Sequence, residues 1–322
     1  MPKLTVVIPT YNRARTLGRA IDSVLTQDYK DIQVLVVDDG STDNTQKVLS
    51  EYEDVSNLAY IQLSSPASGT ASVGRNIGLA CTNTELISFL DSDDELVQSK
   101  FSKQVDRMLA DQEKLSNLPV ILQNQTTYKM HTEIDICYTQ LEIVNTDGTI
   151  SPSGDVISSF FGFYPNVVIP NMKNNIGTNF TTALARKEVF RLLGGFKVVP
   201  IGEDAEFKER AFIFGCNESF INEGLYRYYL GSDNSLMQNA KEVSESEKAA
   251  KEAADAEYAN TKREMRLCRT EQEFIEKFSV PVSISTIKVM KVHNPNILEL
   301  DSKIPMTEET CRLLEKEIIK GK

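Results

Sequence analysis

Four acidic residues within five positions form the part of the sequence most able to do chemistry. They lie in the segment FLDSDDEL at residues 89–96, directly after the apolar run at residues 86–90. Hard divalent cations prefer carboxylate oxygens, and an Asp-x-Asp pair at a strand end can supply them directly or through water. A solvated acidic loop, or acids at a helix start, would have the same composition. An EF-hand loop fits poorly, because Leu96 and Ser102 stand where it needs Gly and Glu.

Three other segments carry polar groups that could meet a ligand, namely VVDDGS at 36–41, GTASVGRN at 69–76 and GED at 202–204. An Asp at the end of a parallel strand can accept hydrogen bonds from a nucleobase or a ribose. Arg75, expected at a helix start, could reach a phosphate or a base. A carboxylate of Glu203 or Asp204 could act as general base toward a hydroxyl. Each also has an ordinary structural interpretation as a turn, a surface arginine or a helix cap.

The elements that must position these groups follow from the apolar pattern. Continuous apolar runs predict strands at 4–8, 32–37, 58–63 and 86–90. Helices are predicted between them, from residue 17, after a cap at Ser41 or Thr42, and within residues 69–82. The alternation indicates an α/β fold with a mostly parallel sheet flanked by helices.

Ligands of such sheets bind outside the carboxyl ends of the strands. The residues expected there are Pro9-Thr10-Tyr11, which should break the first strand, then Asp38-Asp39, then Asp91-Ser92-Asp93. The sequence therefore predicts that an aromatic side chain, a carboxylate pair and an acid cluster share one crevice.

The remainder of the chain is less regular. We expect a helix at 97–115, strands at 120–122 and 134–144, a turn at Asp147-Gly148, and a short helix that ends at Gly194-Gly195. A helix at 206–214 should carry Glu203 and Asp204 at its N-terminus, and a cap at Thr307 should begin the last helix. Past residue 235 the composition changes, with an Ala-, Glu- and Lys-rich stretch at 241–269 that predicts one long helix. This predicts one domain at 1–235 and a helix-rich C-terminal extension at 236–322.

Bulk properties narrow the function. The 322 residues are 41% hydrophobic and 25% charged, as in ordinary globular proteins, with a net charge of −11 and no dense basic cluster. Nucleic acid and anionic lipid are therefore not expected as partners. The sequence shows no bilayer-length apolar run and no signal-peptide pattern, and the five cysteines form no CxxC pair, which predicts a reduced, cytoplasmic protein. Neither GxGxxG after the first strand nor GxxxxGK occurs, so a dinucleotide fold or a P-loop is unsupported.

Taken together, the motifs resemble a known family. The segments VVIPTYNRARTLGRAIDSVLTQ, VVDDGSTD, GRNIGLA, FLDSDDEL, GGF and GEDAEF, in this order, are similar to the family 2 glycosyltransferases with the GT-A fold, over about residues 1–235. GTASVGRNIGLA also resembles non-processive bacterial enzymes that modify cell-surface polymers such as teichoic acids. The QxxRW motif of the processive synthases is absent, since the chain has no Trp. The resemblance implies inverting, metal-dependent transfer of one sugar from a UDP-linked or related nucleotide-diphosphate sugar to an acceptor hydroxyl.

The resemblance also implies roles for individual residues. Tyr11 would flank the nucleobase with Pro9 and Thr10 beside it, Asp39 would hydrogen-bond the base, and Arg75 would contact the nucleotide. Asp91, Ser92 and Asp93 would bind the nucleotide sugar, with Asp91 and above all Asp93 as ligands of Mn²⁺ or Mg²⁺. Asp204 would be the catalytic base, and Arg227 or residues 232–235 would add a polar contact. His131 and His293 match no family position and are expected to be structural.

Two other classes stay open from sequence. One is a non-catalytic binding or scaffold protein on a degenerate transferase fold, with the helix at 241–269 serving assembly. The other is a sugar-phosphate nucleotidyltransferase, although the segment PTYNRAR lacks the glycines of its phosphate loop. The expected partners are a nucleotide-sugar donor and a glycan, lipid-linked or other hydroxyl acceptor, selected by residues 123–170 and the tail. Peripheral membrane contact and oligomers through the C-terminal helices also stay open.

Overall fold

A computed structural model describes residues 3–64, 68–116, 133–152, 180–199, 202–231, 259–268, 270–283 and 288–319. Its strands are β1 (Leu4–Thr10), β2 (Ile32–Asp38), β3 (Leu58–Leu63), β4 (Leu86–Phe89), β5 (Glu95–Leu96), β6 (Ile136–Val144), β7 (Ile150–Pro152), β8 (Leu184–Arg186), β9 (Glu218–Tyr229) and β10 (Val289–His293). Its helices are α1 (Leu17–Leu25), α2 (Thr45–Ser50), α3 (Ala71–Ala80), α4 (Lys100–Ser116), α5 (Lys187–Leu193), α6 (Glu203–Phe214), α7 (259–267), α8 (Glu271–Phe278) and α9 (Glu308–Leu314). Short 3₁₀ turns lie at Phe180–Thr182 and Pro295–Ile297, and a π turn at Glu315–Ile319 follows α9.

The described strands form one sheet in the order β10-β3-β2-β1-β4-β8-β6-β9-β5, with β7 paired to β6. The half that contains β3, β2, β1 and β4 is parallel, as predicted. β8 is antiparallel to both β4 and β6, whereas β9 runs parallel to β6. The predicted α/β architecture with a mostly parallel sheet is therefore confirmed, and the parallel pairing is continuous over β3, β2, β1 and β4.

Strand β1 shows why this sheet is covered on both faces, because all seven of its residues are buried. Leu4, Val6 and Ile8 pack into one core with α1. Val7 points the other way, into a second core with Val73 and other residues of α3. Side chains that alternate along a strand and are buried on both faces produce the uninterrupted apolar run seen in the sequence.

Two glycines let α3 lie directly against β1. A Cβ added at Gly78 would come 2.3 Å from Val7 Cγ1, and one added at Gly74 would come 2.8 Å from Pro9 Cβ. Real side chains at these positions would push the helix away from the strand. The close approach brings Arg75, which follows Gly74, to the carboxyl end of β1.

Several predicted boundaries are wrong by a few residues. β1 continues through Thr10 instead of breaking at Pro9, because its pairing with β2 runs on to Asp38. α2 begins at Thr45, not just after Ser41 or Thr42. Those two residues are used elsewhere: Ser41 N–H and Oγ–H donate to Asp38 Oδ1, and Thr42 N–H donates to Asn12 Oδ1.

Helix α4 also starts later than predicted, at Lys100, since Val97 N–H donates to Leu225 O and so extends the pairing of β5 with β9. The turn at Asp147-Gly148 and the end of α5 at Gly194 are confirmed. None of the described helices combines the length and apolar character needed to cross a membrane.

The C-terminal region contains helices, as predicted, and also a strand that was not predicted. Thr307 caps α9 by accepting a hydrogen bond from Thr310 N–H, and residues 259–267 are helical. β10 adds antiparallel to the outer edge of β3. Buried Asp301 accepts a hydrogen bond from Arg191 Nε at 3.0 Å and lies 3.7 Å from Lys187 Nζ, so the tail is ion-paired to α5. The division at residues 235 and 236 stays a prediction.

Several predictions lie outside the described residues. They concern the strand at 120–122, His131, the acceptor segment at 123–170 apart from residues 133–152, the polar segment at 232–235, and most of the helix at 241–269.

Candidate functional site

The carboxyl ends of β1, β2 and β4 meet at one edge of the sheet. Thr10 pairs with Asp38 in the register, and Asp39 N–H donates to Thr10 O at 2.9 Å. On the other side of β1, Leu90 N–H donates to Val7 O at 3.0 Å, so that Asp91 follows directly at the same edge. We call this edge of the sheet the strand-end site, and its residues are Thr10, Tyr11, Asp39, Arg75, Asp91, Asp93 and Asp204.

The loop after β1 is held by the loop after β2. Asn12 has a left-handed backbone with φ 51°, a conformation that Asn tolerates better than most residues. Its N–H donates to Ser41 Oγ at 2.8 Å, and Arg13 N–H donates to Thr45 Oγ1 at 2.9 Å. This arrangement leaves the Tyr11 side chain 43% exposed at the edge of the sheet. An exposed aromatic ring on a fixed loop can stack on a planar ligand.

Asp39 is buried at the same edge and is oriented by Ser68. Its Oδ2 accepts hydrogen bonds from Ser68 N–H at 2.8 Å and from Ser68 Oγ at 2.6 Å. Burial raises the pKa of the Asp39 carboxyl, and the Ser68 hydrogen bonds partly oppose that rise. Its Oδ1 takes part in none of these bonds. Next to it, Thr10 Oγ1 is buried without a hydrogen-bond partner in the described part of the chain.

The acids after β4 have separate surroundings. Asp94 turns inward, where Oδ2 accepts from Tyr226 Oη at 2.8 Å and Oδ1 accepts from Tyr229 N–H at 3.0 Å. Asp94 therefore ties the acidic segment to β9, a structural role that the sequence did not indicate. Burial, together with the charges of Asp93 and Asp91, raises the pKa of the Asp94 carboxyl. Asp91 and Asp93 are left as the partly exposed carboxylates.

Arg75 is a buried bridge rather than a residue at a helix start. It lies inside α3 and is 4% exposed. Its Nη2 donates to Asp91 Oδ1 at 2.7 Å, and its Nη1 donates to Glu203 Oε1 at the start of α6. Burial alone would lower the pKa of Arg75, but the carboxylates of Asp91, Glu203 and Asp204 outweigh that effect and raise it. The guanidinium therefore joins the acid segment to α6.

Burial and the neighbouring charges also shift the pKa of the Asp91 carboxyl. Burial raises the pKa of Asp91 to about 6, and the nearby charges of Asp93 and Asp204 add to the rise while Arg75 opposes it. Asp93 and Asp204 therefore lie close enough to Asp91 for their charges to influence its pKa. The structure thus brings together acids that are more than a hundred residues apart in the sequence.

Asp204 lies in the first turn of α6, as predicted, and the chain before it is fixed on α3. Asn76 exchanges two hydrogen bonds of 2.8 Å with the backbone of Phe196, and Ser72 Oγ donates to Lys197 O at 2.8 Å. Burial raises the pKa of Asp204, while Arg75 opposes this rise and Glu203 adds to it. A half-buried carboxylate with an elevated pKa beside a fixed cation is suited to accept a proton.

Two further arginines, which no motif singled out, converge on Asp93. Arg13 Nη2 lies 3.4 Å from Asp93 Oδ2, and the two side chains are 13% and 18% exposed. Arg19 donates to the backbone carbonyl of Asp93 and stacks on Tyr229, with Cζ 3.5 Å from the ring centroid. Both arginines stand in PTYNRARTLGR, so their spacing after β1 was visible in the sequence. Their contact with Asp93, which lies 74 or more residues away, was not visible in the sequence.

The carboxylates of the strand-end site fit a metal ion that is bound partly by the protein and partly by a ligand. They do not fit a metal ion bound by protein side chains alone. Among the described residues, no group of three or more His, Cys, Asp or Glu side chains could hold a metal ion. Mg²⁺ is commonly bound through one or two carboxylates plus substrate phosphates. The strand ends supply two such carboxylates. One is Asp93, and the other is Asp91 through Oδ2, since Arg75 bonds Oδ1. Asp94 is committed to β9.

Two further predicted residues have structural contacts. Arg227 pairs with Glu95 at 3.1 Å and Glu142 at 3.0 Å across β5, β9 and β6. His293 stacks on Tyr60, with ring centroids 4.9 Å apart, and this agrees with the structural role expected for it.

Comparison with known proteins identifies the family. The family model for glycosyl transferase family 2 matches residues 5–187, more than half of the chain. The chain belongs to this family. The match includes β1 to β8 with the strand ends, Arg75, Asp91 and Asp93 of this family 2 chain, and it ends before Asp204.

Relatives support this assignment. Glycosyltransferase GlyA of Streptococcus pneumoniae is 25% identical over 229 residues, which are 70% of this chain and 30% of GlyA. The poly(ribitol-phosphate) beta-N-acetylglucosaminyltransferase TarP of Staphylococcus aureus is 40% identical over 100 residues, 30% of either chain. The family 2 chain therefore matches about 30% of the length of these relatives.

A solved structure confirms the fold. TarS of S. aureus in complex with UDP-GlcNAc superposes with a TM-score of 0.55 at 20% identity, over 75% of this chain and 62% of that one. At this identity the similarity establishes the fold alone, and it confirms the GT-A architecture expected from the motifs.

Proposed function

We propose that this family 2 glycosyltransferase moves one sugar from a nucleotide-diphosphate sugar, UDP-linked, to an acceptor hydroxyl in cell-surface polysaccharide or glycoconjugate synthesis. The observation that carries the proposal is the bridge from Asp91 through Arg75 to Glu203, beside Asp204. It sets the acids after β4 and the start of α6 around one site. A donor held at the strand ends would then have Asp204 across from its sugar.

The nucleotide half of the donor would lie along β1 and β2. Tyr11 would stack on the base from its exposed loop, because its backbone is fixed through Asn12 and Ser41. Asp39 would accept a hydrogen bond from the base through Oδ1, since Ser68 occupies Oδ2. Pro9, Thr10 and Ser92 would provide the walls of the same subsite. The UDP-GlcNAc bound by the structural neighbour TarS supports a UDP-linked donor.

The diphosphate half would face the acids after β4. Asp93, with Asp91, would hold Mn²⁺ or Mg²⁺ there. When bound, such a cation neutralises the negative charge that develops on a departing diphosphate. Arg75 would position Asp91 rather than contact the nucleotide directly, because two carboxylates already engage its guanidinium.

Asp204 would receive the proton of the acceptor hydroxyl as the new glycosidic bond forms. The fixed positive charge of Arg75 favours its ionised form, which this role requires. A single base and a single displacement at the anomeric carbon would give inversion. A cytoplasmic site of action, with the acceptor reached through peripheral membrane contact, remains part of the proposal.

A binding and turnover screen tests the proposal. Purified protein is titrated with UDP, GDP, CDP and ADP, with and without Mn²⁺, and then incubated with sugar nucleotides while nucleoside diphosphate release is measured. We expect Mn²⁺-dependent preference for one diphosphate and slow release from its sugar conjugate. Pyrophosphate formation from nucleoside triphosphate and sugar phosphate would instead identify a nucleotidyltransferase. Absence of binding to every nucleotide would identify a non-catalytic protein and contradict the proposal.

A further inference from the structure

Arg13 approaches the carboxylate that the proposed function assigns to a cation. Its Nη2 lies 3.4 Å from Asp93 Oδ2, in a pair that is largely shielded from solvent. The backbone of Arg13 is fixed, because its N–H donates to Thr45 Oγ1 and its carbonyl accepts from Leu17 N–H at 2.9 Å. A change of partner from Asp93 therefore needs no movement of the Arg13 backbone.

A guanidinium and a metal ion compete for the same carboxylate. Two cations on one Asp oxygen repel each other strongly where solvent is scarce. A metal that arrives alone must displace Arg13 and leave the guanidinium without that anion. A metal that arrives with a diphosphate brings a new anion, and guanidinium binds phosphate oxygens in a bidentate manner.

We propose that Arg13 pairs with Asp93 as a placeholder for the metal before metal and donor bind. When they bind, its guanidinium moves to the donor diphosphate. The inference rests on the proposed function, because it presumes a nucleoside diphosphate at the strand-end site. Its consequence is positive coupling: the site binds metal weakly by itself and binds metal and donor together tightly. An enzyme built this way does not accumulate a metal-loaded state that lacks donor.

The other arginines of the site are held in place. Arg75 is buried between Asp91 and Glu203. Arg19 is stacked on Tyr229 and donates to a backbone carbonyl, which a metal on the carboxylate does not contest. Arg13 differs in that its partner is Asp93, the foremost of the two proposed metal ligands.

The test compares Arg13→Met, Arg13→Lys and the matched control Arg15→Met, which alters an exposed arginine two positions away. Calorimetry measures binding of Mn²⁺ alone, and then binding of UDP at saturating Mn²⁺. For Arg13→Met we expect Mn²⁺ alone to bind about tenfold more tightly and UDP to bind about tenfold more weakly. Arg13→Lys should keep the weak Mn²⁺ binding of the parent, and Arg15→Met should change neither affinity.

The opposite signs separate this inference from a folding defect, which would weaken both affinities. Unchanged or weaker Mn²⁺ binding by Arg13→Met would overturn the placeholder role. UDP affinity equal to that of the parent would overturn the transfer to the diphosphate. If the parent binds UDP but the Arg13 variants show the same affinities as the parent, this inference fails and the proposed function stands. If the parent binds no nucleoside diphosphate with either Mn²⁺ or Mg²⁺, the proposed function fails as well.

Discussion

Replacing Arg75 by Met should damage both stability and proton transfer, because Arg75 is a buried cation that bonds two carboxylates and lies near a third. The side chain is 4% exposed and donates to Asp91 and Glu203, with Asp204 close by. Removing one partner of a buried ion pair costs about 3–5 kcal/mol, since the other charges stay buried without compensation. With about 2–4 °C per kcal/mol, the melting temperature should fall by roughly 6–20 °C.

The same substitution should shift the pH dependence of transfer. Arg75 lowers the pKa values of Asp91 and Asp204, so both pKa values rise when the cation is lost. A base with a higher pKa is protonated over a wider acidic range, and the acid limb of the rate profile moves to higher pH. The variant should therefore lose a larger fraction of the parental activity on the acidic side of the profile than on the alkaline side.

Thermal unfolding and pH–rate profiles of three variants provide the assay. Arg75→Met with Glu203→Gln should regain part of the lost stability, because one stranded carboxylate is removed. Arg312→Met is the control, since its pair with Glu308 is exposed and such pairs contribute little. A loss below about 1 kcal/mol together with an unshifted acid limb would refute the bridge and leave Arg75 a simple ligand contact.

Three further predictions test separate parts of the molecule. Asp93→Ala should weaken UDP binding measured calorimetrically with Mn²⁺, because the variant lacks the main proposed metal ligand. Equal Mn²⁺-dependent affinities in variant and parent would count against Asp93. Gly78→Ala should destabilise the protein by about 1–3 kcal/mol because its Cβ would meet Val7 Cγ1 at 2.3 Å, whereas Gly18→Ala, with its nearest neighbour at 3.5 Å, should be neutral or stabilising in chemical denaturation. The pKa of Asp91 is about 6 in the folded state and ~3.9 in an unfolded chain, so the folded state binds the Asp91 proton more tightly. The protonated carboxyl therefore stabilises the fold below about pH 4, and this contribution is lost as the pH rises through about 6. Asp91→Asn should flatten that decline by up to about 3 kcal/mol, and parallel stability–pH curves for the two proteins would contradict this.

The parallel half of the fold was predictable because local chemistry decides it. Strands buried on both faces appear in the sequence as continuous apolar runs, and β1 and β2 are such strands. Their carboxyl ends lie at one edge whatever the details of packing, so Thr10, Asp39 and Asp91 could be placed together without a structure. Asp204 was placed by its position at the start of an apolar-faced helix.

The connections within the site could not be predicted, because they are pairwise contacts between distant parts of the chain. No periodicity links Arg75 to Glu203, Arg13 to Asp93 or Asp94 to Tyr226, and each side chain alone has an ordinary surface interpretation. Arg75, for which the resemblance implied a nucleotide contact, is seen in the structure as a bridge between Asp91 and Glu203. Only coordinates show which of several neighbouring acids faces inward.

The missed strand β10 has a similar cause. Its residues VMKVH are short and only partly buried, so they lack the apolar run of a central strand. Antiparallel pairing with the edge of β3 supplies the hydrogen bonds that make it a strand. The start of α2 was misjudged because Ser41 and Thr42, both good caps, bond Asp38 and Asn12 instead.

The most direct test of the account is sugar transfer by Asp204→Asn, measured beside its donor affinity. The variant removes the proposed base with almost no change in shape, and Asp106→Asn on α4 is a matched control at an exposed position. We expect donor binding in the presence of Mn²⁺ to stay within about twofold of the parent while transfer falls by ~10²-fold or more. Transfer at the parental rate, with donor binding intact, would contradict the claim that Asp204 faces the bound sugar as the base.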